Sequence, residues 1–334
     1  MTILPVTEFL SLAAPLLDVR APSEYTDGHI PDAISLPLFS DLERAQVGTL
    51  YKQNGQKKAI KRGLEFVGPK MIPLIEKAEQ LQSHQLRVHC WRGGMRSQSV
   101  AWLLETYGFE VSLLEGGYKA YRQEMQNCFE QAFNFRVITG YTGSKKTLIL
   151  KALEDLEEQV VDLEGLANHQ GSSFGNALTS GQPSTEHFHN MLFERIRSLD
   201  RTKPIWIEDE SNMIGSCNLP RDIFLQKEAS PHTFIHLPLE ARLDHLVSDY
   251  GSVAVKGLIK ATEGIRKRLG HQRADEAIEL IESGELKQAA AIILSYYDRM
   301  YQRSIEKKDS MVSERITFEH GDVKEIAKHL KNGN

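Results

Sequence analysis

Residues 89–97, with the sequence HCWRGGMRS, combine a cysteine, two arginines and two adjacent glycines. An apolar-leaning run precedes them and an amphipathic run follows, an order that predicts a strand, a tight loop and a helix. Backbone N–H groups converge in such a loop, and the helix dipole favours an anion there. Arg92 and Arg96 add positive charge, which favours the thiolate form of Cys90. We therefore predict that Cys90 is a catalytic nucleophile assisted by both arginines, rather than a cysteine that only packs.

The same loop is predicted to surround the group that Cys90 carries. Gly93 and Gly94 let the backbone approach a ligand without Cβ clashes, and Trp91 and Met95 complete the loop. Two kinds of anion fit this arrangement, a chalcogen held on the cysteine or a phosphate ester. The second fits because a cysteine followed after five residues by Arg96 also matches the signature of cysteine phosphatases. The loop alone does not decide between them.

A second candidate site lies at residues 140–147, with the sequence GYTGSKKT, between a predicted strand and a predicted helix. This order is typical of a P-loop, whose backbone N–H groups enclose phosphates while a lysine reaches their oxygens. Lys145 stands where the G-x-x-x-x-G-K-[ST] pattern has its second glycine, so it either weakens nucleotide binding or strengthens the hold on a diphosphate. The predicted diphosphate-binding residues are Gly140, Gly143, Ser144, Lys145, Lys146 and Thr147.

Acidic residues follow another apolar strand of the same half. Glu208 and Asp209 come where P-loop proteins place a carboxylate that organises Mg²⁺, although each also fits a solvated charge at a strand end. We keep Mg²⁺ as a candidate ligand here. No His, Cys and carboxylate pattern predicts a dedicated metal centre.

Two further segments carry candidate binding residues. A polar, glycine-rich segment after the second strand is too long for a simple turn and predicts a substrate loop, in which we single out Asn168, His169, Ser172 and Ser173. Residues 253–273 predict a basic helix in an otherwise acidic chain, and this is the best candidate for contact with a nucleic-acid backbone. A solvated basic face fits equally well. Its candidate residues are Lys256, Lys260, Arg266, Lys267 and Arg268.

The elements that position these sites follow from the order of the patterns. Strands alternate with helices as far as Leu114, which predicts a parallel α/β sheet. Five strand patterns from Phe135 to Phe318, with helices between them, predict a second, doubly wound α/β domain followed by extra helices.

Composition is that of a soluble, two-domain protein. The chain has 334 residues, 41% of them hydrophobic and 25% charged, and a net charge of −5 that argues against a uniformly basic surface. Its three cysteines are far apart and form no CxxC pair, which argues against a zinc site built from cysteines and against a disulfide framework, and favours a reducing cytoplasm. The apolar run at residues 9–17 is too short to span a membrane, so no membrane association is predicted.

The first half resembles a rhodanese domain over residues 1–125. The resemblance is carried by the LDVR, EY and GHIPDA segments that begin at Leu17, Glu24 and Gly28, by Cys90, and by the LEGGY segment at Leu114. In that family the loop cysteine carries sulfur or selenium, which implies this role for Cys90 with Arg92 and Arg96 as a cationic wall. Residues 126–134 are predicted to form a helical linker, and residues 135–334 the P-loop domain.

Across nearly the whole chain the sequence resembles the tRNA 2-selenouridine synthase family. The blocks that carry this resemblance are DLEGLANH from Asp162, GSSFG from Gly171, QPS from Gln182 and EDES from Glu208. The resemblance implies replacement of sulfur by selenium in wobble 2-thiouridine of tRNA, with selenophosphate and geranyl diphosphate as co-substrates. It also implies a selenophosphate-supplying enzyme as partner and no permanently bound cofactor.

Two other functions remain compatible with the residues. One is a rhodanese-type sulfurtransferase or a cysteine phosphatase with a regulatory P-loop module. The other is an RNA-binding protein whose P-loop is a relic, a hypothesis that Lys145 motivates. Cys128, in the region that joins the halves, is most simply a packing residue, although it is also a candidate resolving thiol for Cys90.

Overall fold

The structure is a computed structural model, and it describes residues 1–169, 181–251, 254–307 and 311–333. Of residues 250 and 303–307 only the backbone is described. The chain divides into two compact units, Met1–Cys128 and Phe129–Asn334. Within the described ranges, no helix has both the length and the apolar composition needed to cross a bilayer.

The first unit, all of which the structure describes, is built on one parallel sheet of five strands in the order β1-β5-β4-β2-β3. β4 is the central strand in this order, and Cys90 follows its carboxyl end. The strands are β1 (Thr2–Leu4), β2 (Leu16–Asp18), β3 (Ile34–Ser35), β4 (Gln85–His89) and β5 (Glu110–Leu114).

Helices surround this sheet and close its core. A capping box starts the third helix, where Ser40 accepts from the Glu43 N–H and Glu43 accepts from the Ser40 N–H. Leu86 and Val88 of β4 and Val111 and Leu113 of β5 are buried in the core. The helices are α1 (Val6–Ser11), α2 (Pro22–Asp27), α3 (Asp41–Asn54), α4 (Gln56–Val67), α5 (Met71–Glu79), α6 (Met95–Tyr107) and α7 (Gly117–Phe129), with a 3₁₀ turn at Gly68–Lys70.

The end of α7 departs from the predicted linker. The helix ends at Phe129, so residues 130–134 of the predicted helical linker at 126–134 are not helical. Asn134 accounts for part of this difference, because its carbonyl oxygen accepts from the Ile205 N–H and so extends the sheet that begins at Phe135.

The described part of the second unit also contains a parallel sheet of five strands, in the order β12-β11-β6-β8-β7. β6 is central, and the predicted P-loop follows it. The remaining two strands, β9 and β10, form a small antiparallel hairpin. The strands are β6 (Phe135–Thr139), β7 (Gln159–Val161), β8 (Ile205–Glu208), β9 (Met213–Ile214), β10 (Cys217–Asn218), β11 (His232–His236) and β12 (Val312–Thr317).

The helices of the second unit pack in two groups. α8 and α16 enclose the core of the sheet with Ile138, Trp206 and Ile235, whereas α13, α14 and α15 form a separate apolar cluster around Leu258 and Ile281. The parallel α/β fold predicted for both halves, with extra C-terminal helices, is confirmed. The helices are α8 (Lys146–Asp155), α9 (Leu163–Leu166), α10 (Thr185–Arg197), α11 (Arg221–Glu228), α12 (Leu239–Tyr250), α13 (Val255–Leu269), α14 (His271–Glu282), α15 (Leu286–Lys307) and α16 (Val323–Asn332).

Candidate functional site

Cys90 lies in the loop between β4 and α6, as predicted from the sequence. It is 3% exposed, and its Sγ lies 3.2 Å from Ser97 Oγ in the first turn of α6. The Ser97 hydroxyl also donates to the carbonyl oxygen of Gly94 at 3.1 Å. Cys90, Cys128 and Cys217 are all free thiols.

The turn after β5 closes over this loop. Tyr118 N–H donates to the Cys90 carbonyl and Lys119 N–H donates to the Trp91 carbonyl, each at 2.9 Å. Gly117 has a φ of +61°, and a Cβ on it would lie 2.4 Å from the Cys90 carbonyl oxygen and 2.5 Å from the Gly93 nitrogen. Only glycine therefore fits at this close approach of the two backbones.

The two arginines of the loop have different environments. Arg96 donates to Glu24 at 2.7 Å, and the same carboxylate also contacts Arg44 at 3.0 Å. Burial opposes ionisation of Glu24, but the hydrogen bond from Arg96 and the charges of both arginines lower its pKa. Arg92 is exposed and, within the described residues, forms no ion pair. Arg92 is thus the arginine available to an anion at this loop, while Arg96 is already bound.

A buried polar network lies behind the loop. Arg20 donates to both carboxylate oxygens of Asp18, and its guanidinium lies 3.8 Å from the ring centroid of Tyr118. His89 Nε2 lies 3.6 Å from Asp18, and burial lowers the pKa of His89 against the attraction of that carboxylate. Trp91 contacts the other side of the network, with its ring centroid 5.7 Å from that of Tyr118. These side chains fix the base of the Cys90 loop. Met95 at its tip is 49% exposed.

The loop of the second unit lies between β6 and α8, the order typical of a P-loop, in spite of its substituted glycine. Lys145 has φ +61° and ψ +26°, the left-handed conformation that the usual glycine adopts without strain. Its Nζ donates to the carbonyl oxygen of Gly321 at 3.0 Å, so this ammonium contacts the turn between β12 and α16. Gly140 and Gly143 allow close approaches, because a Cβ on either would lie within 3.1 Å of a neighbouring carbonyl oxygen. Ser144 is 1% exposed.

Carboxylates gather around Lys146 and Thr147. Thr147 Oγ1 donates to Glu164 at 2.8 Å, and the Glu164 N–H donates to Glu208 at 2.6 Å. Burial opposes protonation of Lys146, but Tyr301, whose ring centroid lies 5.7 Å from its Nζ, and Glu210 raise its pKa. The charged form of Lys146 is therefore stabilised by these neighbours.

Two of these acids have pKa values raised above the ordinary range of glutamate. Burial raises the pKa of Glu208 well above its usual range, and Glu164 raises it further. Burial and Glu164 raise the pKa of Glu210 to about 8, against the attraction of Lys146. One oxygen of Glu208 and one of Glu210 are buried without a hydrogen-bond partner among the described residues. Oxygen ligands of this kind fit Mg²⁺.

Asp209 does not join this group. Its carboxylate accepts from Thr139 at 2.9 Å and from the buried Lys227 at 3.1 Å. It lies with Glu228 and His232, whose ligand atoms are within 4.8 Å of one another, but the Lys227 ammonium also contacts Glu228 at 2.7 Å. This ammonium already contacts both acids. Sequence reasoning grouped Glu208 with Asp209, whereas the structure places them in different networks.

A buried arginine connects the P-loop to the C-terminal helices. Arg242 on α12 is 5% exposed and donates to the carbonyl oxygen of Thr142 at 3.2 Å. It also donates to both carboxylate oxygens of Asp298 on α15. Sequence reasoning missed Arg242 and Asp298, because 56 residues separate them and no local pattern joins them.

The predicted substrate loop is described only at its edges. Asn168 Nδ2 donates to the carbonyl oxygen of Gly181 at 2.6 Å. His169 is 6% exposed, and burial lowers its pKa. Ser172 and Ser173 lie outside the described residues.

The predicted basic helix exists as α13. Four of its basic residues are exposed and form no ion pair within the described residues, namely Lys256, Lys260, Lys267 and Arg268. Arg266 differs, because it pairs with Glu263 and with Asp275.

Comparison with known proteins finds matches to both units of the chain. Residues 133–334 match the model of the tRNA 2-selenouridine synthase AAA domain, and residues 7–124 match that of the rhodanese-like domain. Proteins named tRNA 2-selenouridine synthase are similar over nearly their full length. The one from Psychromonas ingrahamii is 34% identical over 94% of this chain and 93% of its own, and the one from Sulfurovum sp. is 36% identical over 95% and 94%.

The chain belongs to the tRNA 2-selenouridine synthase family. The predicted rhodanese-like unit followed by a P-loop domain is confirmed, as is the prediction of an enzyme. In this family member, Cys90 lies in the rhodanese-like unit, and Lys146, Glu208 and Arg242 lie in the AAA domain.

Proposed function

We propose that the chain replaces sulfur by selenium in 2-thiouridine at the wobble position of tRNA. In this proposal geranyl diphosphate first alkylates the sulfur to give S-geranyl-2-thiouridine, and selenium from selenophosphate then replaces the geranylated sulfur. The observation that carries it is that one chain holds both a buried thiol, Cys90, in the loop between β4 and α6, and a P-loop lysine with a raised pKa, Lys146. The membership of the family supports the same assignment.

The P-loop suits the first step. Transfer of an allylic carbon to sulfur releases diphosphate, and the backbone amides of residues 140–147 together with Lys146 stabilise that leaving group. Glu164, Glu208 and Glu210 would hold Mg²⁺ beside it, and the ion would neutralise part of the diphosphate charge. No nucleotide hydrolysis is needed.

The Cys90 loop suits the second step. Alkylated sulfur is a good leaving group, so a selenium nucleophile can displace it from the base. Selenophosphate held beside Cys90 by the loop amides and by the exposed guanidinium of Arg92 supplies this nucleophile. Its selenium bonds to C2 of the base as geranylthiol leaves, and water then cleaves the Se–P bond and releases phosphate. A separate selenophosphate-forming enzyme supplies the donor. The exposed basic residues of α13 suit contact with the tRNA backbone.

Single-site variants assayed step by step test this division of labour. Cys90→Ser should still geranylate thiolated tRNA from geranyl diphosphate but should form no selenouridine from selenophosphate. Lys146→Ala should lose geranylation while still converting tRNA that is already geranylated. Cys128→Ser is the matched control for the first variant, and it also tests Cys128 as a resolving thiol. Mass spectrometry of the wobble nucleoside is the readout.

Three results would contradict the proposal. A Cys90→Ser protein that makes selenouridine from geranylated tRNA at the full rate would remove Cys90 from the chemistry. Turnover of thiosulfate or an aryl phosphate, without turnover of selenophosphate and thiolated tRNA, would instead support a sulfurtransferase or a phosphatase. Failure to bind geranyl diphosphate or any nucleotide would favour an RNA-binding protein with a relic P-loop.

A further inference from the structure

An apolar cavity lies beside the P-loop in the second unit. Thr142 of the P-loop forms part of its wall, and α12, α13, α14 and α15 form the rest. The cavity contains about 580 Å³ of space outside protein atoms, part of which is open to solvent.

The lining of this cavity suits a hydrocarbon. Apart from Thr142 and Tyr297, every lining residue is Leu, Ile, Val or Ala. A nucleoside base or a ribose buried there would leave its donors and acceptors unmatched, at a cost in binding free energy. A chain of methyl and methylene groups has no such groups and gains from leaving water.

One face of α15 joins the cavity to the phosphate loop. Leu294, Tyr297, Asp298 and Tyr301 are spaced at i, i+3, i+4 and i+7, so they share a face of the helix. The first two line the cavity. Asp298 holds the Arg242 that donates to Thr142, and the ring of Tyr301 lies beside Lys146. The apolar cavity and the phosphate-binding lysine are therefore positioned by the same surface.

We propose that this cavity binds the isoprenoid chain of a prenyl diphosphate whose diphosphate lies in the P-loop, and that its depth sets the accepted chain length. Thr142 belongs both to the apolar cavity and to the P-loop. A ligand that fills both must have an apolar part and an anionic part, as a hydrocarbon ending in a diphosphate does. The inference rests on the proposed function for the role of the P-loop. It adds where the isoprenoid binds and which residues determine the length that is accepted.

Filling the cavity tests the inference in the full-length protein. Ala290 lines the cavity, and Ala291, the next residue of α15, does not. Ala290→Phe should weaken binding of geranyl diphosphate by about tenfold or more, the loss expected if two carbons leave the cavity. Its binding of inorganic diphosphate should stay as in the parent protein. Ala291→Phe is the matched control and should keep both affinities, measured by titration calorimetry.

A widening variant gives a second readout that does not depend on how well the filled variant folds. Ile293→Ala removes three carbons from the cavity wall, and it should shift the preference from geranyl diphosphate towards the longer farnesyl diphosphate. Melting temperatures of all three variants show whether each is folded.

The outcomes separate this inference from the proposed function. Tight geranyl diphosphate binding by a folded Ala290→Phe protein, or a parent protein that binds geranyl diphosphate no better than inorganic diphosphate or ADP, would overturn the cavity assignment. Normal, cavity-dependent binding without transfer of the geranyl group to thiolated tRNA would support the cavity and overturn the proposed reaction.

Discussion

Arg242 and Asp298 form a two-pronged ion pair, in which each guanidinium nitrogen lies 2.8 Å from its own carboxylate oxygen. The Arg242 side chain is 6% exposed and that of Asp298 is 29% exposed. The same guanidinium donates to the P-loop carbonyl of Thr142, so the conformation of the phosphate loop depends on a residue of α15. Loss of the carboxylate would leave a buried charge without its counter-ion.

Asp298→Asn should therefore reduce the free energy of unfolding by about 1–3 kcal/mol and weaken binding of inorganic diphosphate. Asp244→Asn is the matched control, because Asp244 forms an exposed pair with Lys287 at 2.7 Å. That change should alter stability by no more than about 1 kcal/mol. Urea denaturation measures both, and equal effects of the two variants would contradict a structural role of the Arg242 pair.

The raised pKa of Glu210 predicts a pH dependence. Its pKa is about 8 in the fold, because of burial and the neighbouring Glu164, compared with 4.5 for an ordinary glutamate. Between these two values the unfolded chain has lost a proton that the folded chain retains, so stability falls as the pH rises through this window. Above about pH 8 both states are ionised and this contribution stays constant.

Glu210→Gln should flatten that part of the stability curve. The slope should become shallower by up to about 1.4 kcal/mol per pH unit, the value for one proton. Glu208, whose pKa is also raised, retains its own contribution in the variant. The measurement is the free energy of unfolding at several pH values between 5 and 9 (about the range set by the two pKa values). Parallel curves for the parent and the variant would show that Glu210 does not bind this proton.

Two substitutions at Lys145 measure the strain in the P-loop. Both remove the hydrogen bond to Gly321, but only glycine adopts the left-handed conformation without strain. Lys145→Gly should therefore be more stable than Lys145→Ala by about 1 kcal/mol. Because the Lys145 ammonium contacts Gly321, either change should affect diphosphate affinity less than Lys146→Ala does. Equal stabilities of the two variants would indicate an unstrained backbone at this position.

Gly117→Ala tests how the Cys90 loop is closed. The added Cβ would displace the Cys90 carbonyl or the Gly93 amide, and a displacement of about 1 Å in a catalytic loop lowers rates about 10²-fold. We expect that loss in selenium transfer. Gly48→Ala on α3 is the control, because a Cβ there meets no atom within 4 Å. Full selenium transfer by Gly117→Ala would show that the loop tolerates the displacement.

The exposed lysines of α13 predict a salt-dependent affinity for tRNA. Lys260→Ala should reduce the slope of log affinity against log salt by about 0.7–0.9, the value of one phosphate contact. Arg266→Ala should change the slope less, because Arg266 is already paired with Glu263 and Asp275. Electrophoretic or fluorescence titrations at several salt concentrations give the slopes. A larger effect at Arg266 would move the tRNA contact away from the exposed face.

The positions of Cys90 and Lys146 were predictable because each site is local in the sequence. A strand, a loop and a helix follow one another within about twenty residues, and this order fixes where the loop lies relative to its sheet. The separation of Glu208 from Asp209 was also predictable in principle. Glu208 ends β8, and Asp209 continues the extended chain, where its N–H donates to the Ile138 carbonyl. Side chains of consecutive residues in an extended chain point to opposite faces of the sheet, so consecutive acids rarely share one site.

The partners that tune these sites were not predictable. Glu24 binds Arg96 across 72 residues, and Asp298 binds Arg242 across 56. Such pairs arise from the packing of distant elements and have no periodic signature. The left-handed conformation of Lys145 is a similar case, because the sequence shows only a missing glycine, whereas the surrounding contacts impose the backbone that the glycine would have had.

The contact of Gly117 with the Cys90 loop determines how far a fragment of the first unit must extend to keep that loop closed. A fragment that ended after β5, at Leu114, would retain all five strands of its sheet. It would lack the amides of Tyr118 and Lys119 that bind the carbonyls of Cys90 and Trp91. Complementation between separately expressed halves should therefore succeed with a break after α7 and fail with a break before it.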